Sequence, residues 1–161
     1  MNSVNEAPEV TVTHLEIARL IERAHRRFLD LLRVELTRLG TDDISPSQVM
    51  LLFTIGNDEL SVRDLLERGH YLGSNASYNL KQLVEADYVH RSASLRDRRS
   101  ARLRLTDKAN ALCEAIRAMH DNVNRQSARN VSDAQELETA FNVLRRLELL
   151  WTDSLRYGEG A

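Results

Sequence analysis

Along most of this chain the apolar residues recur at steps of three and four, but between Tyr88 and Leu105 they alternate. Ala101, Leu103 and Leu105 interleave with Arg102 and Arg104, the pattern of a strand with one wet face. Val89–Ala93 is the expected hairpin partner, and Ser94-Leu95-Arg96-Asp97-Arg98-Arg99-Ser100 between them reads as a polar, arginine-rich loop tip. One hairpin among helices makes the chain mainly α with a small β-hairpin, which restricts the fold more than any other pattern in the sequence.

The helices announce themselves by their caps. Thr13 with Glu16 three residues later is a capping box, and Leu15, Ala18, Ile21, His25, Phe28, Leu32, Leu36 and Leu39 then form one stripe of a long helix ending at Gly40. Ser45-Pro46-Ser47-Gln48 supplies a second start with serine at the N-cap, proline at N1 and glutamine at N3. Val49, Leu52, Phe53 and Ile55 are its buried side, and Gly56 stops it. A third start stands at Ser61-Val62-Arg63-Asp64, with Leu65 and Leu66 in the core and Gly69 and Gly73 punctuating the segment after it.

Ser74 then opens a fourth helix, where Ala76, Leu80, Leu83 and Val84 make the apolar stripe and Asn75, Ser77, Tyr78, Lys81 and Gln82 fall elsewhere. After the hairpin, Thr106 and Ser132 read as caps of two more amphipathic helices, the second reinforced by Gln135. Their stripes are Leu112, Ile116, Met119 and Val123, then Leu137, Phe141, Leu144, Leu147, Trp151 and Leu155. The expected element order is α-α-α-α-β-β-α-α, with flexible tails at 1–10 and 158–161.

A net charge of −2 hides a strong asymmetry. Residues 88–108 carry Arg91, Arg96, Arg98, Arg99, Arg102, Arg104 and Lys108 against only Asp97 and Asp107. Positive charge is therefore concentrated at the hairpin, where it suits a polyanion.

Other classes find little support. The chain has 161 residues, enough for a core without staples, and its single cysteine, Cys113, excludes an internal disulfide. The histidines His14, His25, His70, His90 and His120 are dispersed, so neither a metal site nor any other cofactor is expected. No nucleophile elbow, zinc-protease helix or phosphate-binding glycine loop occurs, which argues against an enzyme. No leader and no long apolar run is seen, so a cytoplasmic protein with no membrane partner is expected.

Two short helices joined by a glycine-containing turn and followed by a basic hairpin form a winged helix-turn-helix on pattern alone. A recognition helix must expose groups that donate and accept at base edges while its back is buried, and Asn75, Ser77, Tyr78, Lys81 and Gln82 are such a set. Ser74 at the helix start would leave backbone N–H groups for a phosphate. The competing reading is a helical protein-interaction module that does not bind DNA, its charged hairpin incidental.

The stretch from Leu65-Leu66-Glu67-Arg68 through Ser74-Asn75-Ala76-Ser77, Leu80, Leu83 and Val89 resembles the MarR family of bacterial regulators without a gap. Asp97-Arg98-Arg99-Ser100 leading to Leu103-Arg104-Leu105-Thr106 resembles that family's wing, and the likeness covers roughly residues 45–110. Gly69, Asp87 and Ala109 depart from it, standing where the family usually has leucine, glycine and glycine, which puts local packing and turn geometry in question.

The resemblance implies a transcription regulator that binds double-stranded DNA at a pseudo-palindromic operator as a homodimer, acting as a ligand-responsive repressor or as an activator. The first helix and the last two carry more apolar residues than one small winged-helix domain covers, which points to a second copy, an intrachain bundle being the alternative. The resemblance accordingly implies a dimerisation helix at 11–40, a DNA-binding domain at 45–106 and dimerisation helices at 107–157. It places Arg98 or Arg99 in a minor groove, with Asp97 orienting the loop and Arg96 and Arg102 neutralising phosphates. It implies a small aromatic or amphiphilic effector, for which Phe28, Met50 and Phe53 are the candidate contacts. Cys113, beside an apolar stripe, is expected to be a buried structural thiol.

Overall fold

The computed structural model of the protein describes residues 11–92 and 100–158, with side chains to residue 155. The elements run α1 (His14–Arg38), α2 (Pro46–Ile55), β1 (Leu60–Ser61), α3 (Val62–Gly69), α4 (Gly73–Glu85), β2 (Val89–Arg91), β3 (Arg102–Leu105), α5 (Asp107–Ser127) and α6 (Val131–Gly158). They fall into two compact units, one formed by Leu29–Val123 and the other by the rest of the described chain.

The Leu29–Val123 unit has a closed core. Leu32, Val49, Leu52, Leu65, Leu80, Leu83, Leu103 and Ile116 are buried in one cluster drawn from α1 to α5. Its sheet is antiparallel in the order β1-β3-β2, with Val89 opposite Leu105, Arg91 opposite Leu103, and Leu60 opposite Leu103 on the other side. The alternation along β3 is as read from the sequence: Leu103 and Leu105 are buried, Arg102 and Arg104 exposed. The expected two-stranded hairpin gains a third strand, because Leu60–Ser61 pairs with Leu103 and Arg102. Two residues are too few to display a period, so β1 has no sequence signature of its own.

Local sequence explains the helix ends. Ser45 forms the expected capping box with Gln48, Ser61 at the expected third start forms a further one with Asp64, and Gly56 closes α2 at φ 65°. Thr13 and Glu16 exchange hydrogen bonds at the start of α1, and Thr106 Oγ1 accepts the Ala109 N–H at the start of α5. Two starts differ from expectation. Helix α4 begins at Gly73 rather than Ser74, with Leu72 at the cap and no side-chain acceptor there. Helix α6 begins at Val131, capped by Asn130, whose Oδ1 accepts the Asp133 N–H at 3.0 Å, so the cap lies two residues before Ser132. Asparagine is as good an N-cap as serine, and sequence alone does not rank neighbouring candidates.

The departures from the family pattern find physical resolutions. His70 rather than Gly69 takes the left-handed position closing α3, at φ 49°. Gly69 serves packing instead, since a Cβ there would lie 2.0 Å from the Tyr71 ring. The Tyr71 hydroxyl in turn meets Thr54 Oγ1 at 3.1 Å. Asp87 adopts φ 62°, so the turn before β2 keeps a left-handed backbone without glycine. Ala109 is fully buried in the core.

Polar clips tie the unit together. Asp43 accepts the Tyr88 hydroxyl at 2.5 Å and Lys108 Nζ at 2.7 Å, and Lys108 also donates to the Ala86 carbonyl and lies 4.1 Å from the Tyr88 ring centre. Lys108 and Tyr88 hold the Asp43 carboxyl below its ordinary pKa, while burial and the Asp43 charge raise that of Tyr88. Buried Glu35 on α1 meets His120 on α5 at 2.8 Å. Cys113 is buried, and burial pushes its thiol pKa up.

The other unit is built differently. Within α6 no described residue is buried, and Leu137, Phe141, Leu144, Leu149, Leu150 and Leu155 are exposed. Val12, Leu15, Leu20, Ile21 and Phe28, at and along the first part of α1, are exposed as well. Trp151 Nε1 approaches His14 Nδ1 at 3.4 Å. Of the eight expected stripe positions, seven lie on α1 and Leu39 just after it, and only Leu32 and Leu36 are buried in this chain.

Candidate nucleic-acid interface

Helix α4 has two faces. Ala76, Leu80 and Leu83 are buried against the core, whereas Ser74, Asn75, Ser77, Tyr78 and Lys81 are exposed and Gln82 is half-buried. Val84, expected in the apolar stripe, is exposed instead. Lys81 Nζ lies 3.9 Å from Glu85 Oε1, a surface contact that water and salt screen. No side chain caps α4 at Leu72, so among the described residues its first-turn N–H groups lack the acceptor that a cap would give and that a phosphate could supply.

Behind α4 lies a polar relay that the sequence did not single out. Gln48, buried at the start of α2, accepts the Ser45 N–H through Oε1 at 2.9 Å. Its Nε2 donates to Gln82 Oε1 at 2.7 Å and to Asn79 Oδ1 at 3.3 Å. Gln82 Nε2 donates to the Tyr78 hydroxyl at 2.9 Å, and Asn79 Nδ2 to the Asn75 carbonyl at 2.9 Å. Sequence placed Gln48 as a cap residue; only the tertiary approach of α2 to α4 gives it a second task.

Along the wing, Arg102 Nε donates to Glu59 Oε1 at 3.2 Å across the rim of the sheet. Arg104 and His90 face each other on the exposed side of β3 and β2. They border an open cleft of about 760 Å³, with Asn57 after α2, and Asp107, Asn110, Glu114 and Arg117 of α5. The expected loop residues Arg96, Asp97, Arg98 and Arg99 lie outside the described residues.

The residues expected to meet an effector have separate settings. Met50 and Phe53 are half-buried against the core, and the Arg117 guanidinium lies 5.2 Å from the Phe53 ring centre. Phe28 is exposed and belongs to the other unit. No group of three His, Cys, Asp or Glu that could hold a metal ion occurs among the described residues, and no described helix is long and apolar enough to cross a membrane.

Comparison with known proteins agrees with this architecture. The MarR family model matches residues 42–100, from the loop before α2 into the wing. The exopolysaccharide II synthesis transcriptional activator ExpG of Rhizobium meliloti (strain 1021) is 54% identical over 147 residues, 91% of this chain and 76% of that protein. The solved structure of Staphylococcus aureus MarR in complex with salicylate and kanamycin superposes with a TM-score of 0.68 at 22% identity, over 84% of this chain and 91% of that one. Streptococcus pneumoniae FabT in complex with DNA gives a TM-score of 0.67 at 19% identity, over 88% of this chain and 99% of that one. These two show the fold, and the family model and the ExpG likeness show the lineage. With its three-stranded wing and two-faced α4, the chain belongs to the MarR family of winged helix-turn-helix proteins, DNA-binding regulators of transcription and not enzymes.

Proposed function

We propose that the protein binds a pseudo-palindromic operator as a homodimer in the cytoplasm, with α4 in the major groove and the arginine loop in the minor groove, and that it activates transcription from that site. The observation that carries this reading is α4 itself, whose hydrogen-bonding side chains stand exposed over a buried apolar back. Asn75, Ser77, Tyr78 and Lys81 are the base-edge and backbone contacts, Ser74 and the open first turn meet phosphate, and Gln82 acts at the edge of the set. Arg98 or Arg99 enters the minor groove with Asp97 orienting the loop, and Arg96 neutralises phosphate. Arg102 adds positive potential, although part of it is offset by Glu59. Activation is the sense supported by the likeness to ExpG, a transcriptional activator by name.

Residues 45–106 form the DNA-binding domain in this reading, and 11–40 and 107–157 supply dimerisation helices. Support comes from the apolar side chains of α6 and early α1 that this chain leaves exposed. Such surface is more than a monomer ordinarily shows to water. A small aromatic or amphiphilic effector would act by binding unequally to DNA-competent and incompetent forms, touching the lobe at Met50 and Phe53. S. aureus MarR was solved with salicylate, a molecule of that class.

Mobility shift of the DNA upstream of the protein's own gene tests the reading. A complex is expected whose affinity falls steeply as salt rises, because phosphate contacts release counterions. Arg99→Ala weakens binding to every sequence, whereas Asn75→Ala changes which sequence is preferred. Failure to shift any duplex, at low salt included, contradicts the proposal.

A further inference from the structure

We infer that Gln48, which does not reach the surface of α4, sets what Tyr78 can read by fixing the direction of the hydrogen-bond relay beneath it. The inference rests on the proposed placement of α4 in the major groove. The direction follows from one group that cannot be reversed. Ser45 N–H is a backbone donor, so the Gln48 atom 2.9 Å from it must be the carbonyl oxygen. Gln48 Nε2 is then a donor, and the atoms it meets on Gln82 and Asn79 must be oxygens. The free end of the Gln82 amide is therefore NH2, which donates to the Tyr78 hydroxyl at 2.9 Å. Asn79 is consistent, since its NH2 then finds the Asn75 carbonyl.

Because Tyr78 accepts from within, its own proton is directed outward. Tyr78 is 63% exposed, and the hydroxyl at its tip presents a donor to whatever lies over α4. In the major groove guanine offers O6 and N7, adenine N7 and thymine O4 as acceptors, while cytosine offers only its amino donor. Wild-type protein thus disfavours cytosine at the base that Tyr78 meets. Burial holds the inner link, since reversing it would leave the buried Gln48 facing like groups, and the exposed outer bond to Tyr78 takes its direction from the Gln82 amide so oriented.

Two variants reverse the relay from different points. Gln48→Glu still accepts the Ser45 N–H, as glutamate does at N3 of a capping box, but at a pH where its carboxyl is ionised it offers Gln82 only an acceptor. The Gln82 amide turns to donate to it, its oxygen then faces Tyr78, and the tyrosine proton points inward. Gln82→Glu accepts from both Gln48 and Tyr78 and has the same consequence without touching the buried position.

The test selects duplexes from a randomised pool with the full-length protein, then scores every single-base substitution of the selected sequence. At one position in each half-site, wild type is expected to bind the cytosine duplex worst. Tyr78→Phe removes that penalty, a relative gain of roughly threefold to tenfold, the worth of one hydrogen bond. Gln48→Glu and Gln82→Glu each turn the penalty into a preference for bases with an amino group, and Gln48→Glu has no such effect in a Tyr78→Phe background. Melting temperatures identify a variant that fails to fold, in which case the other decides. The inference is overturned if Tyr78→Phe alters preference while the folded glutamate variants keep the wild-type profile. It is also overturned if Tyr78→Phe changes no position although Asn75→Ala does. No enrichment of any duplex would instead overturn the proposed function together with this inference.

Discussion

The Leu29–Val123 lobe and the terminal helices have similar apolar patterns in sequence but opposite fates in the folded chain. In the lobe, Leu80 and Leu83 of α4 reach full burial against Leu52, Leu65 and Leu103. In α6, Phe141 and Leu144 stand at a similar helical spacing yet remain exposed. A stripe says that a face wants cover, not where the cover comes from. The lobe finds it within one chain, and the terminal helices, in the proposed homodimer, find it in a second copy.

That contrast predicts two large effects of different kinds. Leu80→Ala opens a cavity in a closed core and should cost about 2–5 kcal/mol of unfolding free energy, read from urea titrations. Should it cost under ~1 kcal/mol, the lobe core is looser than the full burial of Leu80 implies. Phe141→Asp should leave the lobe folded while weakening self-association by about 2–4 kcal/mol, read by sedimentation. A wild-type protein that sediments as a monomer at all accessible concentrations would break the comparison outright.

Smaller effects probe how the lobe is held. Gly69→Ala should destabilise by about 1–3 kcal/mol, because its methyl group would overlap the Tyr71 ring. In a Tyr71→Ala background the same change should become neutral or stabilising, since alanine is the better helix former. A penalty that persists there points to a backbone cause. Asp43→Asn tests the clip to Lys108 and Tyr88. The folded Asp43 pKa is depressed, so its contribution is full above the ordinary aspartate pKa and is lost as pH falls through the lower folded value. The stability gap between wild type and variant should be about 1 kcal/mol or less at neutral pH and close in acid. A gap that grows on acidification would reverse the sign.

Legibility follows the range of the interactions. Capping boxes at Thr13, Ser45 and Ser61 are local, and the residues that make them can be read directly from the chain. The alternation of β3 and the two faces of α4 are legible because burial imprints its period on many residues. Strand β1 is not, being two residues recruited by Leu103 and Arg102 from far along the sequence. Asn130 and Ser132 compete for the start of α6 because both are good caps, and only the folded chain shows the Asp133 N–H on Asn130. Gln48 is recognisable as a cap but not as a support for α4, since its partners Gln82 and Asn79 come near only in the folded lobe. The arginine loop is legible as charge, but its geometry falls outside the described residues.

Dimethyl sulfate protection tests the central claim most directly, because it methylates guanine N7 in the major groove and adenine N3 in the minor groove. With helix α4 and the arginine loop engaged as proposed, guanine N7 should be protected in two patches about one helical turn apart. Adenine N3 should be protected immediately outside them, and replacing Arg98 and Arg99 together by alanine should abolish only that outer protection. Guanines that stay fully reactive throughout a specific, salt-sensitive complex would contradict the placement of α4 in the major groove.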